Sequence, residues 1–401
     1  MKAKSHLSAS LNVFLQYVTS VCLILGLFYW ETNLYQAFWF RRFFAIFAGV
    51  LSLASIMSFR RELLVVLAKR KALMLFMGIS SVSLIFQSSL WQAFFGYPLV
   101  HPALASMFSS VCIGLWLTTL DRVSILKTAY YATLAWSSIC FIYWLQDDIS
   151  LRLGFVHSQV IYAACLFALG GMLALWHFNN KTLPRIFVVS SGLFLFACLL
   201  LSQTRSALLL LIVYILFSNR QSILTHKKVS LLLAGLAVMS VALSGLYFSR
   251  LYNTGYLTRS VEYRMNLAQA SFPSNDSQLL FGGGMGSIEN NIHDNAPKYV
   301  LLEGDIKDGI KFESSHNYLV DIVVERGLLA ALLFVFIVYQ AIFAGLRLQS
   351  PADRIIFDVY VFLLLFLFFN NINIQMEILL WSCMVLLLCG GHQTKTRLQN
   401  T

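Results

Sequence analysis

Residues 185–218 read RIFVVSSGLFLFACLLLSQTRSALLLLIVYILFS, in which two apolar runs are separated only by the polar stretch 203–206. The first run has the length, about 20 residues, that a helix needs to cross a hydrocarbon core of roughly 30 Å. Similar runs recur throughout the 401 residues, of which 58% are hydrophobic and 12% are charged. We therefore predict an all-α integral membrane protein and exclude a soluble globular domain.

The apolar runs predict about twelve transmembrane helices, with one long polar interval between spans nine and ten. The spans are predicted at residues 11–30, 39–58, 72–90, 103–120, 128–146, 157–178, 185–202, 206–218, 229–248, 327–346, 355–371 and 376–391. Three regions follow from this count. They are a bundle of nine spans over residues 1–248, a helical periplasmic loop domain over 249–326, and three spans with a tail over 327–401.

The basic residues set the predicted orientation. The formal net charge is +11, but the Lys and Arg residues fall mostly in short segments between spans on one side of the bundle. By the positive-inside rule this side, with both termini, faces the cytoplasm. The charge is therefore a topology signal and does not predict nucleic-acid binding. The same count places Arg205, Arg264 and His316 together on the outer face.

The seven cysteines all lie within apolar runs and none has the spacing of a metal site. They are typical of small buried apolar residues, so neither a disulfide framework nor a metal site is predicted. No cofactor is predicted either.

Two basic positions on the outer side have no acidic neighbour nearby in the sequence. Arg205 follows span seven, and Arg41-Arg42 opens span two. An arginine at the membrane boundary either snorkels to the interface as an anchor or binds an anionic ligand such as a phosphate. The sequence leaves both interpretations open for each position.

The loop domain has four recognisable parts. A helix is predicted from Ser260, as its N-cap, through residue 268, and a glycine run follows at residues 282–284. The run permits a tight turn and close approach of another group, although it is not a P-loop. Residues 287–312 lack periodicity and are predicted to be a mobile flap. A helix then resumes at Ser315, which places His316 in its first turn.

These residue types suit one kind of chemistry. An arginine presents a fork of donors that matches phosphate oxygens and keeps its charge in any surroundings. A histidine near its ordinary pKa of about 6.5 accepts a proton from a hydroxyl at neutral pH. Arginines and a histidine at one membrane surface would therefore suit transfer of a glycan from a lipid diphosphate to a hydroxyl.

Three motifs together resemble the superfamily of O-antigen ligases and O-antigen polymerases, which are bacterial membrane glycosyltransferases. The motifs lie in the order and topology that this superfamily has, and the resemblance covers roughly residues 185–347. They are Thr204-Arg205-Ser206-Ala207, Phe281-Gly282-Gly283-Gly284-Met285-Gly286, and His316-Asn317-Tyr318-Leu319 followed by Glu325-Arg326-Gly327-Leu328-Leu329.

The resemblance implies that Arg205 and Arg264 bind the undecaprenyl diphosphate of the donor and that His316 activates the acceptor. Arg259, on the same predicted helix as Arg264, is an alternative to it. The implied function is an O-antigen ligase of a bacterial inner membrane, metal-independent and inverting, with lipid A-core as acceptor. A polymerase remains the nearest alternative. A non-catalytic transporter of lipid-linked glycan is less consistent with the apolar mid-span positions.

Overall fold

The computed structural model describes residues 70–85, 121–146, 160–218, 256–284, 287–299, 315–370 and 374–390, together with residues 110, 111, 113, 114, 117, 153 and 302. Within these ranges the protein is helical and has no strand. Arg41, Arg42 and the predicted spans 11–30, 39–58 and 229–248 lie outside the described residues, as does most of the span predicted at 103–120.

The helices that belong to the bundle coincide with predicted spans. They are α1 (Lys71–Ile85), α2 (Arg122–Gln146), α3 (Val160–Asn180), α4 (Arg185–Ser202) and α5 (Arg205–Ser218), followed later in the chain by α10 (Leu328–Leu346), α11 (Pro351–Phe369) and α12 (Ile374–Gly390). Three of them, α3, α4 and α10, are long and apolar enough to cross a membrane. The membrane-protein class is therefore supported, while the number of spans stays a prediction.

Helix α3 is the central helix of the described bundle. Its most apolar 18-residue window is 83% buried, against 28% in α4 and 33% in α10. It packs against α2, α4, α5 and α11. A helix that is apolar all round and buried lies inside the protein, whereas α4 and α10 keep one apolar face exposed, as expected of helices that contact lipid.

One end of the bundle collects the basic residues that were predicted to be cytoplasmic. Arg122, at the start of α2, pairs with Asp353 at 3.0 Å, close to the start of α11. Trp176, near the end of α3, donates to the carbonyl of Pro351 at 3.0 Å. Arg70, just before α1, donates to the carbonyl of Leu388 near the end of α12 at 2.8 Å. The starts of α1, α2 and α11 and the ends of α3 and α12 therefore lie at the same end of the bundle.

The loop domain contains the shorter helices α6 (Tyr256–Ser271), α7 (Asp276–Phe281), α8 (Ser287–Asn295) and α9 (Tyr318–Arg326). It has a small apolar core of its own, formed by α6, α8 and α9 with two residues outside these helices, Ala296 and Leu302. The residues of this core are Leu267, Ala270, Ile288, Ile292, Ala296, Leu302 and Val324.

Helix α9 joins this core to the bundle. Val320 and Val324 pack on the loop-domain core, while Tyr318 and Ile322 are part of the main core of the bundle. Residues two positions apart on a helix point to nearly opposite sides. One short helix therefore contributes a face to each core.

Two predictions about the segments that contain α6 and α8 are wrong. Helix α6 begins at Tyr256, so Ser260 lies inside the helix and is not its N-cap. Residues 287–295 form α8, where a mobile flap was predicted. The signal missed was the i, i+4 pair Ile288 and Ile292, which gives this polar segment one buried apolar edge. Asn291 and Asn295 of α8 also donate to backbone carbonyls at the end of α6.

Candidate functional site

The turn between α4 and α5 presents Arg205 at a helix N-terminus. Gln203 ends α4 in the left-handed conformation, with φ of 55°, and its N–H donates to the carbonyl of Leu200 at 3.0 Å. The carbonyl of Thr204 accepts the first bond of the next helix from Leu208, at 3.2 Å, so that Arg205 is the first residue of α5. The charge of Arg205 adds to the partial positive charge of the helix N-terminus. The two charges together favour the binding of an anion at this position.

This turn is fixed to the end of α11. The amide of Asn370 donates to the hydroxyl of Ser206 at 3.2 Å and to the carbonyl of Phe366 at 2.8 Å. Asn370 is 2% exposed. It caps α11, and it also holds α5 beside the connection that leads to α12.

The glycine run forms a close backbone contact with the segment that ends α9. Gly283 and Gly284 donate their N–H groups to the carbonyls of Val324 at 2.8 Å and Glu325 at 2.9 Å. A Cβ on Gly282 would lie 2.4 Å from the carbonyl oxygen of Glu325. The contact is reciprocal, because a Cβ on Gly327 would lie 2.4 Å from the carbonyl oxygen of Leu280. Two of the three sequence motifs are therefore a single packed unit.

Both glycines have a backbone conformation that other residues rarely adopt. Gly282 has φ of 87° and ψ of 148°, and Gly327 has φ of 88° and ψ of 163°. This region is essentially restricted to glycine. Gly282 ends α7 and Gly327 separates α9 from α10, so the pair sets the angles at which the loop domain meets the bundle.

His316 precedes α9 and is not in its first turn, which corrects the predicted start of the helix. The helix begins at Tyr318, and the side chain of Asn317 caps it by accepting from the N–H groups of Leu319 at 3.0 Å and Val320 at 3.2 Å. His316 has φ of 62°. A positive φ is tolerated by histidine better than by most residues, but it is uncommon and concentrates at functional sites.

The backbone before His316 is held by a buried carboxylate. Asp321 accepts from the N–H of Ser315 at 2.8 Å and from its hydroxyl at 2.6 Å. Ser315 and Asp321 are both buried. A buried carboxylate that receives two hydrogen bonds is well satisfied, and it fixes the approach of the chain to His316.

Arg264 acts on His316 electrostatically. The pKa of His316 is lowered to about 4, first by burial and then by the charge of Arg264. An influence of this kind requires the guanidinium to lie near the imidazole. The charge of Arg264 on α6 therefore reaches His316, while the side chain of Arg259 lies outside the described residues. The imidazole remains neutral at pH 7 and can accept a proton.

A buried polar cluster that was not predicted from the sequence includes Tyr318, two residues after His316. Glu377, in the first turn of α12, accepts from Arg326 at 2.9 Å and from the hydroxyl of Tyr318 at 2.8 Å. Trp381 donates to the same hydroxyl at 3.1 Å. The guanidinium of Arg326 also lies 5.8 Å from the ring centroid of Phe76 on α1. The sequence did contain a signal for this cluster. Glu377 is an acidic residue at the start of an apolar span, and Arg326 is a basic residue at the end of the polar interval.

The electrostatics of this cluster agree with its geometry. Burial alone would lower the pKa of Arg326, but the carboxylate of Glu377 outweighs it and the pKa lies above its ordinary value. Burial and then the charge of Glu377 raise the pKa of Tyr318. The guanidinium thus stays charged and the phenol stays protonated, so both act as donors to the carboxylate.

The predicted site residues thus have three outcomes. The charge of Arg264 influences His316. Arg205 lies at the same end of the bundle as His316, because Ser206 contacts Asn370 at the end of α11 and Tyr318 contacts Glu377 at the start of α12. Arg41 and Arg42 lie outside the described residues. Within the described ranges, no group of three or more His, Cys, Asp and Glu side chains is placed to hold a metal ion.

The fold and the site define a helical membrane protein with a histidine and basic side chains at one end of its bundle. Residues 190–335 match the family model described as O-antigen ligase. The match runs from within α4 to within α10 and includes Arg205, Arg264 and His316. It confirms the resemblance to the O-antigen ligase superfamily and supports a ligase- or polymerase-type function of a membrane glycosyltransferase-like enzyme. A comparison with curated proteins finds no match.

Proposed function

We propose that the chain is an O-antigen ligase of a Gram-negative inner membrane. It transfers a preassembled O-antigen glycan from undecaprenyl diphosphate to a sugar hydroxyl of lipid A-core. Both termini lie in the cytoplasm, and the site lies at the periplasmic face among membrane lipids. The match of residues 190–335 to the O-antigen ligase family supports the reaction class.

One observation carries this proposal: burial and the charge of Arg264 lower the pKa of His316, which precedes α9, so that the imidazole is neutral at pH 7. A cation beside an imidazole makes a poor structural pair, because each disfavours the charge of the other. The same arrangement suits a reaction in which the imidazole takes a proton while the cation holds an anionic leaving group.

The proposed step follows from these roles. His316 accepts the proton of the acceptor hydroxyl as its oxygen attacks the anomeric carbon. The bond between that carbon and the diphosphate oxygen breaks, and the diphosphate leaves with the electron pair. Arg205 and Arg264 stabilise the charge that develops on it. A single displacement inverts the anomeric carbon, and the proton on His316 then passes to water.

The lipopolysaccharide of a deletion strain tests the function in the cell. Loss of this ligase should leave core without O-antigen, with glycan accumulating on the carrier lipid. Expression of the parent chain should restore the full banding pattern. A core that carries a single repeat in the deletion strain would instead identify a polymerase.

His316→Asn provides the matched variant for this complementation. Asparagine also tolerates a positive φ, so the backbone before α9 is kept while the base is removed. The variant should insert at the parent level and fail to restore O-antigen, because losing a general base costs roughly 10²- to 10⁴-fold in rate. Restoration at the parent level would show that His316 is not the base.

A further inference from the structure

Two side chains of helix α9 donate to the same carboxylate oxygen of α12. The first residue of α9, Tyr318, and its last residue, Arg326, both donate to Oε1 of Glu377, at 2.8 Å and 2.9 Å. The hydroxyl of Tyr318 also receives the indole N–H of Trp381, four residues further along α12. A helix held at both ends by one carboxylate can neither rotate nor slide without losing a buried hydrogen bond.

The surrounding rings close this cluster on its other sides. Trp381 stacks on Phe76 with ring centroids 5.0 Å apart, and Tyr318 meets Phe334 edge-on at 5.5 Å. The cluster therefore joins α1, α9, α10 and α12. His316 stands two residues before Tyr318, so its position depends directly on where α9 is held.

A contribution to stability does not by itself explain the buried ion pair of Arg326 and Glu377. Desolvation of two buried charges offsets most of their attraction, and apolar replacements of both partners are often neutral or stabilising in other proteins. A buried ion pair can instead specify one arrangement of the elements that it joins. Here the joined elements are a bundle helix and the helix that begins directly after His316.

We propose that Glu377 is a positioning residue for the transfer reaction, acting through Tyr318 and Arg326 to hold α9 and so to place His316. The inference rests on the proposed role of His316 as the base. It is separate from the proposed roles of Arg205 and Arg264, because Glu377 is buried and accepts from Tyr318 and Arg326 of α9.

Two variants of the full-length protein in nanodiscs test this proposal. Tyr318→Phe removes one hydroxyl and keeps the packed ring. The double variant Arg326→Met with Glu377→Leu removes both charges, so that neither partner is left buried alone. The matched control is Arg122→Met with Asp353→Leu, which removes the ion pair at the opposite end of the bundle.

Two readouts separate positioning from stability. The first is the kinetics of transfer, with kcat and the KM for the lipid-linked donor measured at constant pH. The second is an NMR titration of labelled histidine, with the His316 signal assigned by its absence in His316→Asn. The titration reports the surroundings of His316 whether or not the protein transfers glycan.

The double variant should insert and melt like the parent, with kcat reduced by about 10²-fold and donor KM changed by less than about twofold. Tyr318→Phe should lower kcat by a smaller factor. In both variants the pKa of His316 should rise from about 4 towards its ordinary value, because a displaced imidazole is less buried. The control pair should alter neither readout.

The outcomes divide cleanly. An unchanged kcat and an unchanged His316 titration in a stable double variant would overturn the proposal. Should the double variant fail to insert, Tyr318→Phe decides by the same two measurements. A parent chain without transfer activity would contradict the proposed function, while the shift of the His316 titration between parent and variants would still decide whether Glu377 holds this residue in place.

Discussion

At the level of single residues, the proposed reaction depends on a histidine whose environment favours the neutral form. The backbone of His316 has a positive φ. Its imidazole is partly buried, and the charge of Arg264 lowers its pKa. The positive φ could not be predicted from the sequence, because it depends on how the chain approaches α9. The positive-inside count predicted that Arg264 and His316 lie on one face of the membrane, and that face stays a prediction.

The pH dependence of kcat/KM should show this environment. His316 acts in its neutral form, so the rate is lost as pH falls through its pKa, and in the free enzyme that pKa is about 4. The acid limb should therefore lie well below pH 6.5. In the profile of kcat the limb should move to higher pH, because bound diphosphate offsets the charge of Arg264.

Arg264→Gln should raise the acid limb of kcat/KM above pH 4 without bringing it to pH 6.5, since burial is the larger cause of the shift. Arg259→Gln is the matched control on the same helix and should leave the limb in place. If the acid limb moves in Arg259→Gln and stays fixed in Arg264→Gln, the charge that lowers the pKa of His316 belongs to Arg259 and the assignment to Arg264 is wrong.

Arg205→Lys should raise the donor KM although it keeps the charge. Lysine lacks the two-donor fork of a guanidinium, and losing a hydrogen bond to a charged group costs about 1.5–3 kcal/mol, roughly ten- to a hundredfold in affinity. Arg185→Lys, at the opposite end of α4, should change nothing. Parent kinetics for Arg205→Lys would show that the residue is an interfacial anchor.

At the element scale, long apolar runs were easy to predict and the short helices were not. The run predicted at 185–202 coincides with α4, because length and composition alone specify such a helix. Helix α8 was missed because its apolar edge consists of only Ile288 and Ile292 in a polar segment. The start of α9 was misplaced because Asn317, and not an earlier serine, provides the N-cap.

Gly282 and Gly327, which lie where the loop domain meets the bundle, should not tolerate a side chain. Gly327→Ala adds a Cβ 2.4 Å from a backbone oxygen in a conformation that alanine avoids, so we expect a loss of about 1–3 kcal/mol or more and a lower melting temperature. Gly78→Ala is the control, because its Cβ would meet no heavy atom within 4 Å. Equal melting temperatures for the two variants would mean that the close contact of the two motifs does not constrain the fold.

At the scale of the whole molecule, the described bundle has two chemically different ends. One end joins Arg122 to Asp353 and holds Arg70 and Arg354, the positions predicted to be cytoplasmic. The other end carries Arg205 and the loop domain. Charge patterning predicted this division, but it could not predict that α9 would be attached to α12, because the partners Arg326 and Glu377 are far apart in the sequence.

Chelation should leave the reaction intact. In the proposed mechanism Arg205 and Arg264 provide the positive charge that a divalent ion would otherwise supply to the diphosphate. Transfer in excess EDTA should therefore proceed at the parent rate. Loss of activity that added magnesium restores would contradict this part of the mechanism.

The proposed ligase reaction is tested most directly with the purified chain in nanodiscs. The only substrates supplied are undecaprenyl-diphosphate-linked glycan and lipid A-core. We predict that glycan appears on lipid A-core while undecaprenyl diphosphate is released in equal amount, and that His316→Asn, inserted at the same level, forms neither product. Extension of one lipid-linked glycan by another, with lipid A-core left unmodified, would contradict the account.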